Sequence, residues 1–313
     1  MSAAVVGTLP QDEAGRSAGA HPAHRGSIHL EDGAIVAQES WPGEQFVVRV
    51  NAPKCAEFAQ PGSFVHLTCD PDVPMRRPLS IQRVNAAEGW IEILYKIVGP
   101  GLRALSRRRV GDVISVLGPI GQPFRPDPAR PRSLLVGGGV GIPPMVFLAE
   151  WMTAQGGPWK PLVLMGSEIP FPFKTRPSTI LVPGIPAGVI GAMPLLDGWG
   201  VPSRLASKAG FAGCYDGFVT QLADEWLGAL DAAAKREVEV FSCGPTPMLE
   251  AMAKVAATHD VPCQVSLEEF MACAVGGCAG CTVKVATPDG PAMKRVCVDG
   301  PVFDAKAVFP ESG

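Results

Sequence analysis

Histidine is scarce in this chain, with five in 313 residues. Two of them, His21 and His24, fall in the opening stretch, and none lies inside any of the motifs described below. Gly-x-Ser-x-Gly, His-Glu-x-x-His and a Walker loop are all missing. Their absence leaves no sign of a nucleophilic or acid–base site. No apolar run approaches the ~18 residues of a membrane span. The net charge of −3 gives no basic surface for a nucleic acid. The first 27 residues lack an apolar signal-like core and read as a disordered tail, which explains His21 and His24 better than metal binding does. The expected setting is cytoplasmic.

Cysteine, by contrast, is plentiful, with nine residues. Four of them form a pattern. Met271-Ala272-Cys273-Ala274-Val275-Gly276-Gly277-Cys278-Ala279-Gly280-Cys281 has the spacing Cys-x4-Cys-x2-Cys, and Cys297 follows in Arg295-Val296-Cys297-Val298. This is the plant-type iron–sulfur spacing. Two bridged irons take four thiolates, three of them from one short loop. Gly276, Gly277 and Gly280 let the backbone curl and turn N–H groups toward sulfur. Structural zinc is the competitor, but zinc sites usually pair Cys/His two and two, and no His lies between Cys273 and Cys297. A disulfide framework does not suit a chain without a secretory signal.

The chain changes character along its length. From residue 28 to 127, short strands at Ile35-Val36, Gln45–Val50, Ser63–Leu67, Ile91–Lys96 and Asp112–Leu117 alternate with Gly/Pro turns, the pattern of a β-barrel. From 128 to 260, strands at Ser133–Val136, Leu162–Met165 and Val238–Phe241 alternate with helices from Pro143 to Trp151, near Phe218–Leu230 and near Pro247–Thr258. That order predicts a parallel sheet covered on both faces. The Pro- and Gly-rich residues 168–203 carry no clear regular structure. From 261 to 313 the sequence serves the cysteines, with strands at Gln264–Leu267 and Thr282–Val285. The fold class is therefore multidomain, β followed by α/β.

Three further stretches suit a nucleotide or flavin. Gly137-Gly138-Gly139-Val140-Gly141-Ile142-Pro143-Pro144 leaves a strand and opens a helix, so Gly139 and Gly141 let backbone approach a pyrophosphate. It is not a GxGxxG fingerprint, and tight packing alone also explains such a turn. Phe241-Ser242-Cys243-Gly244-Pro245 is a second strand-to-helix turn facing the same crevice. Cys243 there is either near a nicotinamide or simply a small buried residue. Met75-Arg76-Arg77-Pro78-Leu79-Ser80-Ile81 offers a guanidinium to phosphate and a hydroxyl to a flavin ring, or is only an exposed basic turn. Tyr95-Lys96-Ile97-Val98-Gly99-Pro100-Gly101 ends a strand in a turn that supplies N–H groups to a phosphate or only reverses the chain.

In that order, Arg77-Pro78-Leu79-Ser80, Gly137–Pro144, Cys243-Gly244-Pro245 and the four-cysteine loop resemble the electron-transfer subunits of class 1B dihydroorotate dehydrogenase, in the ferredoxin-NADP reductase-like superfamily. Val265–Glu269 and Val298–Phe303 add to the likeness, which covers about residues 28–305. The resemblance implies an FAD-binding β-barrel (28–127), an NAD-binding α/β domain (128–260) and a [2Fe–2S] domain (261–313). Arg77, Pro78, Leu79, Ser80 and Tyr95 would then lie at FAD, and Gly99 and Gly101 at its phosphates. Gly139, Gly141, Cys243, Gly244 and Pro245 would line the NAD site, and Cys273, Cys278, Cys281 and Cys297 would hold the cluster. Glu168, after the strand Leu162–Met165, would accept the ribose hydroxyls. The implied partner is an FMN-containing catalytic subunit in a heterotetramer, feeding electrons through cluster and FAD to NAD+ in pyrimidine biosynthesis. Reductase subunits serving ferredoxin, sulfide or hydrogenase partners share this module order. A zinc-stabilised binding module is the reading outside the enzymes. Phe270 stands where Arg is expected, Ala274 where Gly is, and Leu102 where Thr is common.

The purified protein is expected to be brown-yellow, with about one FAD and two irons per chain. Cys297→Ala should lose the cluster's absorbance and keep FAD. Stoichiometric zinc without iron after anaerobic purification would refute the cluster.

Overall fold

The computed structural model describes residues 26–312. The expected tail, with His21 and His24, lies outside the described residues up to position 25. Among the described residues no helix is long and apolar enough to cross a membrane.

The first unit is a seven-stranded antiparallel sheet. Its strands are β1 (His29–Trp41), β2 (Gln45–Asn51), β3 (Phe64–Thr68), β4 (Arg77–Ser80), β5 (Arg83–Asn85), β6 (Trp90–Lys96) and β7 (Val113–Ile120), in the order β4-β3-β7-β1-β2-β6-β5. The expected strands all form, their starts within one residue except for Ile35-Val36, which grows into the 13-residue β1. A register shift between Ile35 and Ala37 lets β1 pair with β7 along its first half and β2 along its second, bending the sheet on itself. Val48, Val50, Val65, Leu67, Ile91, Ile93, Ile114 and Val116 fill the inside. Two short helices, α1 (Pro53–Phe58) and α2 (Pro100–Leu105), interrupt the strands.

The second unit is a six-stranded sheet. Its strands β8 (Arg132–Gly138), β9 (Leu162–Gly166), β12 (Ser203–Ala206), β13 (Val238–Cys243) and β14 (Cys263–Ser266) run parallel, in the order β12-β9-β8-β13-β14. Residues 168–203 hold a two-residue-strand hairpin, β10 (Arg176–Pro177) with β11 (Gly191–Ala192), and the helix α4 (Pro194–Gly198). Helix α3 (Ile142–Ala154) packs on one face of the sheet. Helices α5 (Val219–Gly228) and α7 (Thr246–Thr258) pack on the other, and α6 (Ala232–Arg236) links α5 to β13. Continuous apolar runs such as Leu134-Leu135-Val136 suit strands covered on both faces.

The third unit carries the cysteine loop and the hairpin β15 (Thr282–Thr287) with β16 (Gly290–Arg295). It does not stand apart. β14, inside the expected 261–313 segment, is a strand of the second sheet, and β17 (Val302–Asp304) adds antiparallel to it before the short α8 (Ala305–Val308). The cysteine unit is thus a loop-and-hairpin excursion between two strands of the nucleotide-side sheet.

Candidate redox centre and nucleotide crevice

The cysteine loop is shaped by residues in the left-handed region: Ala274 at φ 57°, Gly276 at 80° and Ala279 at 53°. The four thiols fall into two pairs. Cys281 and Cys297 are buried with sulfurs 3.3 Å apart, while the half-buried Cys273 and the exposed Cys278 face each other. Two pairs suit two irons, one pair to each, better than the tetrahedron that a lone zinc needs. Among the described residues no three His, Cys, Asp or Glu side chains gather as one bound ion would require.

Backbone N–H groups point at the sulfurs, Cys278 N to Cys273 Sγ and Gly280 N to Cys278 Sγ, each at 3.4 Å. Burial opposes ionisation of Cys273, but the N–H groups of Cys278 and its neighbours outweigh it and bring this thiol down to about 7. Burial, with the Cys281 thiol alongside, pushes Cys297 up to about 12. Arg295 ties the two ligand segments together, with Nη1 donating to the Gly276 carbonyl at 3.0 Å and Nε to Asp299 at 3.2 Å.

On the barrel side, the two adjacent arginines take different parts. Arg76 turns inward and donates to the His66 carbonyl at 2.9 Å and to Ser115 Oγ at 2.9 Å, so its fork is occupied. Arg77 lies along Gly101, where a Cβ would come within 2.9 Å of its Nε. Gly99, Gly101 and the N-terminus of α2 therefore share one face with a guanidinium, a chemistry suited to a pyrophosphate. Pro78, Leu79 and Ser80 continue β4 half-buried. Tyr95, expected beside them, is 1% exposed, stacked on Phe46 and hydrogen-bonded to Gln38 at 3.2 Å. A side chain so enclosed supports β4 and β6 from within the barrel and does not line a cofactor site.

The glycine turns meet at the carboxyl ends of β8 and β13, where the strand order reverses. Gly137 is in register with Cys243. A Cβ on Gly141 would lie 2.2 Å from the Cys243 carbonyl oxygen, so this contact admits only glycine. Gly139, at φ 55°, has open space where its Cβ would be. Cys243 is 1% exposed, and burial raises its thiol, which stays neutral beside Ser266. The expected contact through this thiol gives way to the small-buried-residue reading, because the Cys243–Gly244 backbone is what meets Gly141. Pro245 and Glu168 are exposed; Glu168 follows β9, whose Gly166 is in register with Gly138.

Sequence reasoning missed Met248, whose thioether sits against both Gly138 and Gly244 and closes the space between the turns. A methionine one turn into a helix carries no signal of that role. It also missed His66, whose burial shows only once β3 is paired with β4 and β7.

Residues 268–309 match the family model of the iron-sulfur cluster binding domain of dihydroorotate dehydrogenase B. The chain is 35% identical over 249 residues to the electron transfer subunit of dihydroorotate dehydrogenase B (NAD(+)) of Caldanaerobacter subterraneus subsp. tengcongensis, spanning 80% of this chain and 87% of that one. It is 30% identical over 273 residues to the subunit of the same name from Shouchella clausii, spanning 86% and 94%. Among solved structures, an NADH-dependent reduced ferredoxin-NADP oxidoreductase shares 26% identity at a TM-score of 0.68, covering 89% of this chain and 90% of that one. Phthalate dioxygenase reductase, at 14% identity and a TM-score of 0.53 over 86% and 77%, shares the fold.

Gly141→Ala forces the two turns apart. It is expected to weaken binding of a nicotinamide dinucleotide about tenfold, with iron and flavin content unchanged. Unaltered affinity in a titration would place the dinucleotide elsewhere.

Proposed function

Because the chain belongs to the family of electron-transfer subunits of dihydroorotate dehydrogenase B, we propose that it carries electrons between an FMN-containing catalytic subunit and NAD+ through a [2Fe–2S] cluster and FAD, in pyrimidine biosynthesis. The observation that carries this reading is the pairing of the four thiols two and two, in a loop packed against a flavin-type barrel. When bound, a flavin exchanges a hydride with nicotinamide and single electrons with a two-iron centre, which is why both are needed in one chain.

The domain division follows: 28–127 for FAD, 128–260 for NAD and 261–313 for the cluster, with β14 and β17 lending that last segment its foothold in the NAD-side sheet. Arg77 and the Gly99–Gly101 turn would neutralise and bond the FAD pyrophosphate, with Pro78, Leu79 and Ser80 bordering the flavin. Gly139 and Gly141 admit the NAD pyrophosphate, Gly244 and Pro245 bound it, and Glu168 accepts ribose hydroxyls. Cys273 and Cys278 would hold one iron, and Cys281 and Cys297 the other. Nine unpaired cysteines suit a reducing cytoplasm. The likeness to an NADH-dependent ferredoxin-NADP oxidoreductase keeps a ferredoxin partner as the second reading.

The partner must reach the cluster's edge. Ala274, in the same loop, is 1% exposed and takes no part in that contact. Val275, Ala279 and Cys278 are exposed, and Phe270 beside them is 94% exposed. Docking there would cover apolar surface at little desolvation cost.

Two measurements follow from this reading. With a dye acceptor, kcat/KM should favour NADH, since Glu168 repels a 2′-phosphate; a clear NADPH preference would take Glu168 away from the ribose. With a catalytic subunit from the same source, dihydroorotate-dependent NAD+ reduction should appear, and the isolated chain should lack it. Val275→Glu should lower the coupled rate about tenfold and spare dye reduction. Dihydroorotate oxidation by the chain alone, or no transfer within the pair, would remove the partner assignment.

A further inference from the structure

The barrel grips both segments that carry the cysteines. Just past the end of β7, the Gln122 N–H donates to the Gly300 carbonyl at 2.6 Å, and its side-chain Nε2 donates to the Val298 carbonyl at 3.2 Å. Val298 directly follows Cys297. The contact is close on both sides, since a Cβ on the neighbouring Gly121 would lie 2.4 Å from Pro301 Cδ.

The other segment is met from β3. His66 is fully buried, with register partners Pro78 on β4 and Leu117 on β7. Neither of its ring nitrogens closes a hydrogen bond. The backbone of Met271 and of Arg76 lies beside the ring. Met271 lies two residues before Cys273 and packs in the same core as Cys281 and Cys297. Burial and the Arg76 guanidinium hold the ring well below its ordinary value, at about 4, so it is neutral and has one N–H to give.

We propose that Gln122 is a positioning residue that fixes the cluster loop against the barrel through the Val298 carbonyl, with the buried His66 ring packed against the Met271 backbone from β3, and that the two so govern electron transfer between the two cofactors. The inference rests on the electron-transfer reading above. Its physical basis is the rank of outer partners around a metal centre, which orient the ligand-bearing backbone. His66, on β3, is also the register partner of Pro78 on β4, the residue between Arg77 and Leu79. A shift of the cluster loop is therefore referred to the strand that borders the flavin.

The test uses the holoprotein and three variants. Gln122→Glu keeps the shape and loses the donor; His66→Phe keeps a ring and loses the N–H; His66→Gln restores a donor. Rapid mixing with NADH reads flavin and cluster bleaching separately, and the reduced cluster is read by electron paramagnetic resonance and by its midpoint potential. Flavin bleaching is expected to stay within about twofold. Cluster bleaching should slow about tenfold in Gln122→Glu and in His66→Phe, with altered g-values and potential, and His66→Gln should recover part of the rate. Unchanged cluster rate, g-values and potential would overturn the proposal, as would equal slowing of both cofactors. Gln122 is only half-buried, so Gln122→Glu decides the matter even if His66→Phe does not fold. A wild-type chain without iron would overturn the electron-transfer reading itself, and this inference with it.

Discussion

A continuous apolar core joins the cysteine loop to the rest of the molecule. Barrel residues Phe64 and Ile120 belong to the same buried cluster as Met271, Ala274, Cys281, Val296 and Cys297, together with the β8, β13 and α7 side chains of the α/β unit. Domains joined only by linkers move relative to one another by default; units that share a core do not. The consequence is functional. A short loop with two exposed or half-buried thiols has little packing of its own, and it is the buried pair, Cys281 and Cys297, that roots it. Exposure is left to Cys278, the side from which a partner can be reached.

The nucleotide side is held by a different kind of contact, mostly polar. Arg83 on β5 forms a two-pronged pair with Glu150 on α3, Nη2 to Oε1 at 2.6 Å, and its guanidinium lies 5.1 Å from the Trp199 ring. Gln45 on β2 donates to the Pro170 carbonyl at 2.7 Å, and Gly43, at φ 80°, packs on the Ile169 side chain. Ile169, Pro170 and Trp199 all come from residues 168–203, the stretch whose composition gave no hint of regular structure. Buried Arg204 pins the same stretch by donating to the Ile180 carbonyl at 2.7 Å. This stretch straps the α/β unit to the barrel, so the Gly139–Gly141 turn and the β4 edge keep a fixed relation.

The sequence disclosed what depends on local pattern. Alternating residues such as Val48 and Val50, buried runs such as Leu134–Val136 and the cysteine spacing each have a local physical cause, and each placed its element. Arg77-Pro78-Leu79-Ser80 has no alternation, and proline argues against a central strand; β4 forms because it is an edge, paired only to β3. Nothing local distinguishes Arg76 from Arg77. Which one turns inward is decided by Ser115, 39 residues away in β7. The same holds for Tyr95, Cys243 and Ala274, whose burial is a property of neighbours distant in sequence. Spacing points to a ligand set, but it does not say which side chains end up behind the site and which at its face.

Ala274 shows how the cluster loop is stabilised. It adopts φ 57° with 1% exposure, a left-handed conformation that costs a non-glycine residue about 1–2 kcal/mol. Ala279 repeats this at φ 53° in an exposed position. Local preference therefore works against the loop at two points, and glycine relieves it only at Gly276, where a Cβ would press on Val298. What outweighs the strain must come from outside the loop. The contributors are the burial of Ala274, the Arg295 bond to the Gly276 carbonyl and the N–H groups that converge on Cys273. Those N–H groups favour the thiolate, so filling the site with metal strengthens the contacts that oppose the strain. Folding of this loop and loading of the cluster are, on that physics, one coupled event, and the barrel's hold on Val298 and Gly300 supplies the part that is present before metal arrives.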